Sequence, residues 1–387
     1  MQRFVYADNA GTTPMSKTAL DAMLPYLTTE YGNPSGIYSI GRRAKKALEA
    51  AREAVARDLN AEPGEIYFTS GGTEGDNWAL RGTLELRAKT GRHFILSAIE
   101  HDAGLHSCER LRKKYGADVT LLPVDGFGRV DPEDLRAAIR DDTVFVSVML
   151  ANNEIGTIEP IRDLCEIAHA RGVLFHTDAV QAVGHIPVDV KDLGVDMLTL
   201  SAHKFCGPKG VGVLYIRKGL NLPPLLDGGG HERGKRSGTE NVAGICALAA
   251  ALDEAVANMD ENMKKVGAMR DKLIENLLRI PRSRLTGDPV NRLPGTASFV
   301  FECIEGESII LSLDAAGICA SSGSACSSGS LDPSHVLMAI GLPHEVAHGS
   351  VRLTLNEMNT MEDVDYILEQ LPPIIKRLRS MSPLWEE

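Results

Sequence analysis

No two cysteines in this chain stand at C-x-x-C spacing, and the seven present (Cys108, Cys165, Cys206, Cys246, Cys303, Cys319 and Cys326) are odd in number and scattered. That pattern excludes a disulfide scaffold and a structural zinc site, so no metal is expected, and it fits a reducing cytoplasm. Long apolar stretches are also missing. The opening Met1-Gln-Arg-Phe-Val-Tyr-Ala-Asp8 lacks the apolar core of a signal peptide, and no later run reaches the length of a transmembrane helix. Neither export nor membrane association is expected. Positive charge is in deficit: the formal net charge of -11 argues against a nucleic-acid surface and says little beyond solubility. No internal repeat is visible. What remains is ordinary for a globule, with 43% hydrophobic and 24% charged residues, and 387 residues are enough for about two domains.

Against that background one segment stands out. Ser321-Ser-Gly-Ser-Ala-Cys-Ser-Ser-Gly-Ser330 places a single thiol among serines and glycines. Such a stretch has little apolar surface to bury and loses much entropy on ordering, so it reads as an exposed, mobile loop. A free cysteine usually behaves as a small buried hydrophobe. The segment is therefore either a linker with an incidental cysteine or an arm whose thiol must meet another molecule.

Upstream, Asp196-Met-Leu-Thr-Leu-Ser201 and Val211-Gly-Val-Leu-Tyr-Ile216 read as buried strands joined through Ser201-Ala-His-Lys-Phe-Cys-Gly-Pro-Lys-Gly210. Lys204 thus sits at a strand end, and the apolar run from Gly172 ends in the acid Asp178. Ligands of open α/β sheets bind outside the carboxyl ends of strands, where an Asp and a Lys can converge. A Lys for a Schiff base and an Asp for a pyridinium nitrogen are what pyridoxal 5'-phosphate (PLP) requires of a protein. The bland alternative is two surface residues at strand ends.

Strands and helix-length segments alternate from Glu65 to about Ile216, which predicts a mostly parallel sheet covered on both faces. Thr13-Pro14 reads as a helix start, Ser39 to Leu59 as a helix, and the Ala- and Leu-rich stretch from about 240 to Leu278 as one long helical region. Thr296–Phe301, Ser308–Leu313, Ser350–Leu355 and a terminal helix from Met361 read as a smaller α+β unit. The expected division is a large α/β domain over 15–255 and a small domain made of 1–14 and 256–387. Between strand and helix, Thr69-Ser-Gly-Gly-Thr-Glu74 could present backbone N–H groups to an anion, although such turns are commonly just tight turns. It is neither a Walker motif nor G-x-G-x-x-G, so nucleotide is not indicated. Arg236-Ser-Gly-Thr-Glu-Asn241 is either an anion contact or an N-cap.

Taken together, these motifs resemble those of the NifS/IscS-type cysteine desulfurases, PLP enzymes of the class V aminotransferase family. The resemblance spans nearly the whole chain. It rests on Tyr31-Gly-Asn-Pro-Ser35, Thr69–Glu74, Glu100-His101, Asn152-Asn-Glu-Ile-Gly156, His176-Thr-Asp-Ala-Val-Gln181, Ser201–Lys204, Arg236–Thr239, Ser321–Cys326 and Ser350-Val-Arg352. It implies a PLP-dependent fold of the aminotransferase type (fold type I), with Lys204 carrying the cofactor and moving the substrate α-proton. Asp178 would hold the pyridine nitrogen protonated, and His101 would lie over the ring and act in acid–base steps. Gln181 and Asn153 would contact the cofactor's oxygen or its substrate side. Gly72, Thr73, Ser201 and His203 would receive the phosphate, with Thr239 reaching it from a neighbouring subunit of a homodimer. Arg352 would bind the carboxylate of L-cysteine, and Cys326 would take its sulfur as a persulfide. The sulfur would pass to acceptor proteins such as an iron–sulfur scaffold, or to tRNA thiolation.

Read without the resemblance, Arg352 in its alternating strand is a solvent-facing edge residue, and His101 is a capped loop histidine. His348 reads as structural; Cys206 and Cys319 read as buried hydrophobes. Three departures from the family pattern, Gly75, Phe205-Cys206 and Asn356-Glu357, bear on subgroup and partner surface and leave the reaction intact. A selenocysteine lyase, another class V enzyme or a non-catalytic relative are the alternatives. A plain aminotransferase needs no mobile thiol, and intact Lys204, Asp178 and Cys326 argue against a scaffold.

Overall fold

The computed structural model of the chain describes residues 3–322 and 333–386, so Cys326 and most of its Ser/Gly segment lie outside the described residues. Seven short strands form the central sheet in the order Ile66–Thr69, Gly212–Ile216, Met197–Ser201, Leu174–Asp178, Thr143–Ser147, His93–Ser97, Asp118–Leu122. Four of the six neighbouring pairs run parallel; the two made by Gly212–Ile216 are antiparallel, because the Gly-Pro-x-Gly turn folds that strand back on Met197–Ser201. Strands buried on both faces are built from continuous apolar runs. Successive side chains then feed opposite layers: Val146, Phe175, Leu198 and Val213 join one core, Phe145, Leu174, Met197 and Leu214 the other. Residues of Ser39–Asp58 and Val242–Ala257 belong to the first core, and residues of Gly72–Leu86 and Asp102–Tyr115 to the second.

A second, antiparallel sheet places Thr296–Phe301 between Ser283–Leu285 and Ser350–Thr354. Its core joins Phe299, Phe301, Val351 and Leu353 to Leu273, Ile309, Ile367 and Leu371 of the helices Met259–Leu277, Gly306–Ala315 and Met361–Ser380. Val5 and Ala7 belong to that same core, and Val5–Tyr6 pairs in parallel with Ile318–Cys319. The whole is an α/β molecule, a mostly parallel sheet joined to a smaller α+β unit.

Three local expectations are corrected. The first helix begins at Lys17, capped by the Ser16 hydroxyl accepting from Ala19 N. Thr13 instead holds the Lys204 loop, its hydroxyl donating to His203 O and accepting from Cys206 N. The helical region after 240 is two helices, Val242–Ala257 and Met259–Leu277, bent by 73° at Asn258. Cys319, the last residue of the two-stranded ribbon, is only half-buried.

Candidate active site

The strands Leu174–Asp178 and Met197–Ser201 are parallel neighbours, so Asp178 and Ser201 end at the same edge of the sheet. Past Ser201 the chain turns through a short 3-10 helix, Ala202–Lys204. The helix Gly72–Leu86 starts beside them. Its approach depends on two glycines. Gly71 adopts φ +147°, which other residues avoid, and a Cβ on Gly72 would come 2.8 Å from Val180 Cγ2. These elements surround a cavity of about 430 Å³ whose lining includes Gly72, Thr73, His101, Asn153, Asp178, Gln181, Ser201, His203, Lys204 and Arg352. Ten expected residues are thereby brought together. Thr239 is not among them: it is exposed on the surface, although Arg236, three positions earlier, pairs with Glu74 of the Gly72 helix at 2.8 Å. Asn241 caps the following helix, accepting from Gly244 N.

Arg352 is not a solvent-facing edge residue. Only 4% of it is exposed, because its guanidinium turns inward, donating to Asn153 O at 2.9 Å and to Asp8 Oδ1 at 2.8 Å. Its Nε has no hydrogen-bond partner among the described residues. His101 serves as a cap and also lines the cavity: its Nδ1 accepts from Ala103 N at 3.1 Å, so the neutral ring carries its proton on Nε2. Lys204 Nζ donates to the carbonyls of Ala10 and Gly11, and Gln181 Nε2 also donates to Ala10 O.

Burial raises the Asp178 carboxyl, while a hydrogen bond from Val180 N and the charges of His101 and Lys204 pull it back. Asp76 is raised further, by burial and then by Asp178; its Oδ1 has no hydrogen-bond partner among the described residues and lies 3.7 Å from His176 Nε2. The two acids share a buried wall, which favours one negative charge there rather than two. His203 is pushed down to about 4 by burial and by Lys204 and Lys209, so it faces the cavity uncharged near neutral pH. Behind the wall, His176 is pushed down to about 3 by burial and held between Ser147 and Thr199.

The donor set fits PLP. A lysine amine, a buried carboxylate for a pyridinium, and a helix start with room that a single Cβ would fill meet in one cavity. Sequence reasoning missed Asp8, Ala10, Gly11 and Asp76. Ala10 and Gly11 touch Lys204 through backbone carbonyls, which carry no residue signature, while Asp8 meets Arg352 through its side chain. The small-residue run Asp8-Asn-Ala-Gly11 after a short strand was the available signal.

Comparison with known proteins adds a family. The class-V aminotransferase model matches residues 5–367. A cysteine desulfurase IscS of Methanosarcina thermophila is 55% identical over 380 residues, covering 98% of this chain and 94% of that protein. A cysteine desulfurase IscS of Clostridium botulinum is 53% identical over 390 residues, covering 100% of this chain and 98% of that one. Among solved structures, a NifS-like protein superposes with a TM-score of 0.92 at 40% identity, covering 98% of this chain and 100% of its own. A structure of SspA in complex with cysteine superposes with a TM-score of 0.81 at 35% identity, covering 91% and 98%.

Proposed function

The chain belongs to the class-V aminotransferases, and on that premise we propose that it is a PLP-dependent cysteine desulfurase, converting L-cysteine to L-alanine and leaving the sulfur as a persulfide on Cys326. The observation that carries this reading is that Lys204, Asp178 and Arg352 share one cavity with Ser321. Ser321 is paired to Arg352 through both backbone hydrogen bonds and stands five residues before Cys326. Five residues span at most about 17 Å when extended, enough to bring the thiol over the cavity. The relatives' names favour this over a selenocysteine lyase.

PLP, when bound, supplies the electron sink that makes the substrate's carbon–sulfur bond breakable. Asp178 would hold the proton on the pyridine nitrogen, and Gly72, Thr73, Ser201 and the neutral His203 would hold the phosphate. Gln181 and Asn153 line the substrate side. Arg352 takes the substrate carboxylate, the geometry to which a planar guanidinium is suited. Lys204 Nζ takes the α-proton and returns one, and His101 moves a proton at Nε2. The Cys326 thiolate attacks the substrate sulfur; the carbon–sulfur bond breaks, its electron pair stays with carbon, and protonation there gives alanine.

In the same proposal the persulfide is handed to acceptor proteins, such as an iron–sulfur cluster scaffold, in the cytoplasm. The enzyme works as a homodimer with Thr239 of one copy serving the phosphate of the other. The large unit corresponds to 15–255 and the small one to the two flanking segments. Incubating the holoenzyme with cysteine and assaying alanine together with the mass of the Cys326 peptide tests the reaction. Alanine plus one added sulfur on that peptide is expected. Alanine without sulfur on Cys326, or no alanine, overturns it.

A further inference from the structure

Cys206 and Glu357 stand 151 positions apart, yet Cys206 Sγ donates to Glu357 Oε1 at 3.2 Å. Asn356, also from the turn after the strand Ser350–Thr354, directs its Nδ2 to the same sulfur at 3.7 Å. Cys206 follows Lys204 by two residues and is 5% exposed. Its φ of +62° is one a non-glycine residue adopts only when its surroundings hold it. The N-terminal segment supplies that hold: Cys206 N donates to the Thr13 hydroxyl and Cys206 O accepts from Ser16 N. Glu357 is tied in turn, its carbonyl accepting from Lys265 Nζ at 2.6 Å. Burial, then Glu357, pushes the Cys206 thiol up to about 12, so it remains a protonated donor and takes no part as a nucleophile.

We infer that the Cys206–Glu357 contact is a positioning latch that fixes the Lys204 loop against the strand carrying Arg352. The substrate is held at two points, its carboxylate by Arg352 and its α-carbon near Lys204, and these points belong to different sheets. A small error in their spacing misaligns the proton transfer while each group still binds its own partner. The two departures from the family pattern at 205–206 and 356–357 thus form a matched pair inside the molecule.

This inference rests on the desulfurase reading, and two readouts separate their failures. In the holoenzyme, Cys206→Ala should lower kcat for alanine formation by about threefold to tenfold with KM changed less than about twofold, since alignment is lost and carboxylate binding is kept. Cys206→Ser, which restores an O–H donor, should stay within about twofold of wild type. Glu357→Ala should match Cys206→Ala, and the double variant should be no worse than either single one. Independently of turnover, amide hydrogen exchange of 202–208 should speed up in Cys206→Ala and Glu357→Ala and not in Cys206→Ser. Unchanged kcat in Cys206→Ala, additive losses in the double variant, or a serine variant as impaired as the alanine one would each overturn the latch. If the wild-type protein makes no alanine, the desulfurase reading fails, and the exchange comparison still decides whether the contact holds the loop.

Discussion

Six other thiols could take the role given to Cys326, and the environment of four removes them. Burial holds Cys165 and Cys206 up at about 12 and Cys246 at about 11, and raises Cys108 further, so none supplies thiolate near neutral pH. Cys326→Ser should therefore keep PLP, because every cavity-lining side chain is untouched, while alanine formation falls by at least about a hundredfold, a hydroxyl being a far poorer sulfur acceptor. Absorbance of bound cofactor and an alanine assay check the two halves; near-normal turnover without added reductant would remove Cys326 from the mechanism. Arg352→Lys tests the carboxylate clamp. The substitution keeps the charge and loses the planar fork that now spans Asn153 O and Asp8. KM for cysteine should rise roughly tenfold to a hundredfold, the worth of a charge-assisted hydrogen bond, with a smaller change in kcat. An unchanged KM would move substrate recognition elsewhere.

Buried carboxyls between the elements of the large sheet make the stability of the fold pH-dependent. Burial pushes Glu159 up to about 8, Glu100 to about 8 and Glu154 to about 7, against hydrogen bonds from Val130 N, from Ser97 and Met149, and from Ser334. Each is raised above its ordinary 4.5, so the fold favours the protonated acid; that contribution is whole below about 4.5 and is lost as pH rises through about 7 to 8. The melting temperature of the wild-type protein should fall between pH 6 and 9. Glu159→Gln, permanently neutral and still able to accept from Val130 N, should show a shallower fall; parallel curves would show that Glu159 does not titrate in this range. Much of the element pattern was legible because buried strands are continuous apolar runs that end in polar residues, as at Asp178 and Ser201. The start of the first helix was not, because Thr13-Pro14 and Ser16 carry the same capping chemistry and only tertiary contact with His203 and Cys206 decides between them. Arg352 misled for a related reason. Alternation tells which residues share a face and not which face is covered, and here the N-terminal turn at Asp8 covers it.

At the scale of the molecule, the proposed homodimer turns on the stretch after Gly234. Arg236 is held inward by Glu74 in the first turn of the Gly72 helix, yet Thr239 is exposed and absent from the cavity its own chain forms. A threonine destined for a neighbour's phosphate would look like this, and so would one with no role. Two-fold dimers are the commonest soluble assembly, and their interfaces are self-complementary, so a residue donated across the axis is donated twice. A mixed dimer distinguishes the cases, with Thr239→Ala on one chain and Lys204→Ala on the other. Only the first chain keeps a lysine to hold PLP covalently. If Thr239 acts across the interface, that site receives an intact threonine from its partner and binds PLP as tightly as the wild-type dimer. If Thr239 acts within its own chain, the same site has alanine there and binds weakly, matching the Thr239→Ala homodimer. PLP titration of the borohydride-reducible fraction reads that one site alone, and weak binding there, or an active monomer by sedimentation, would refute the shared site.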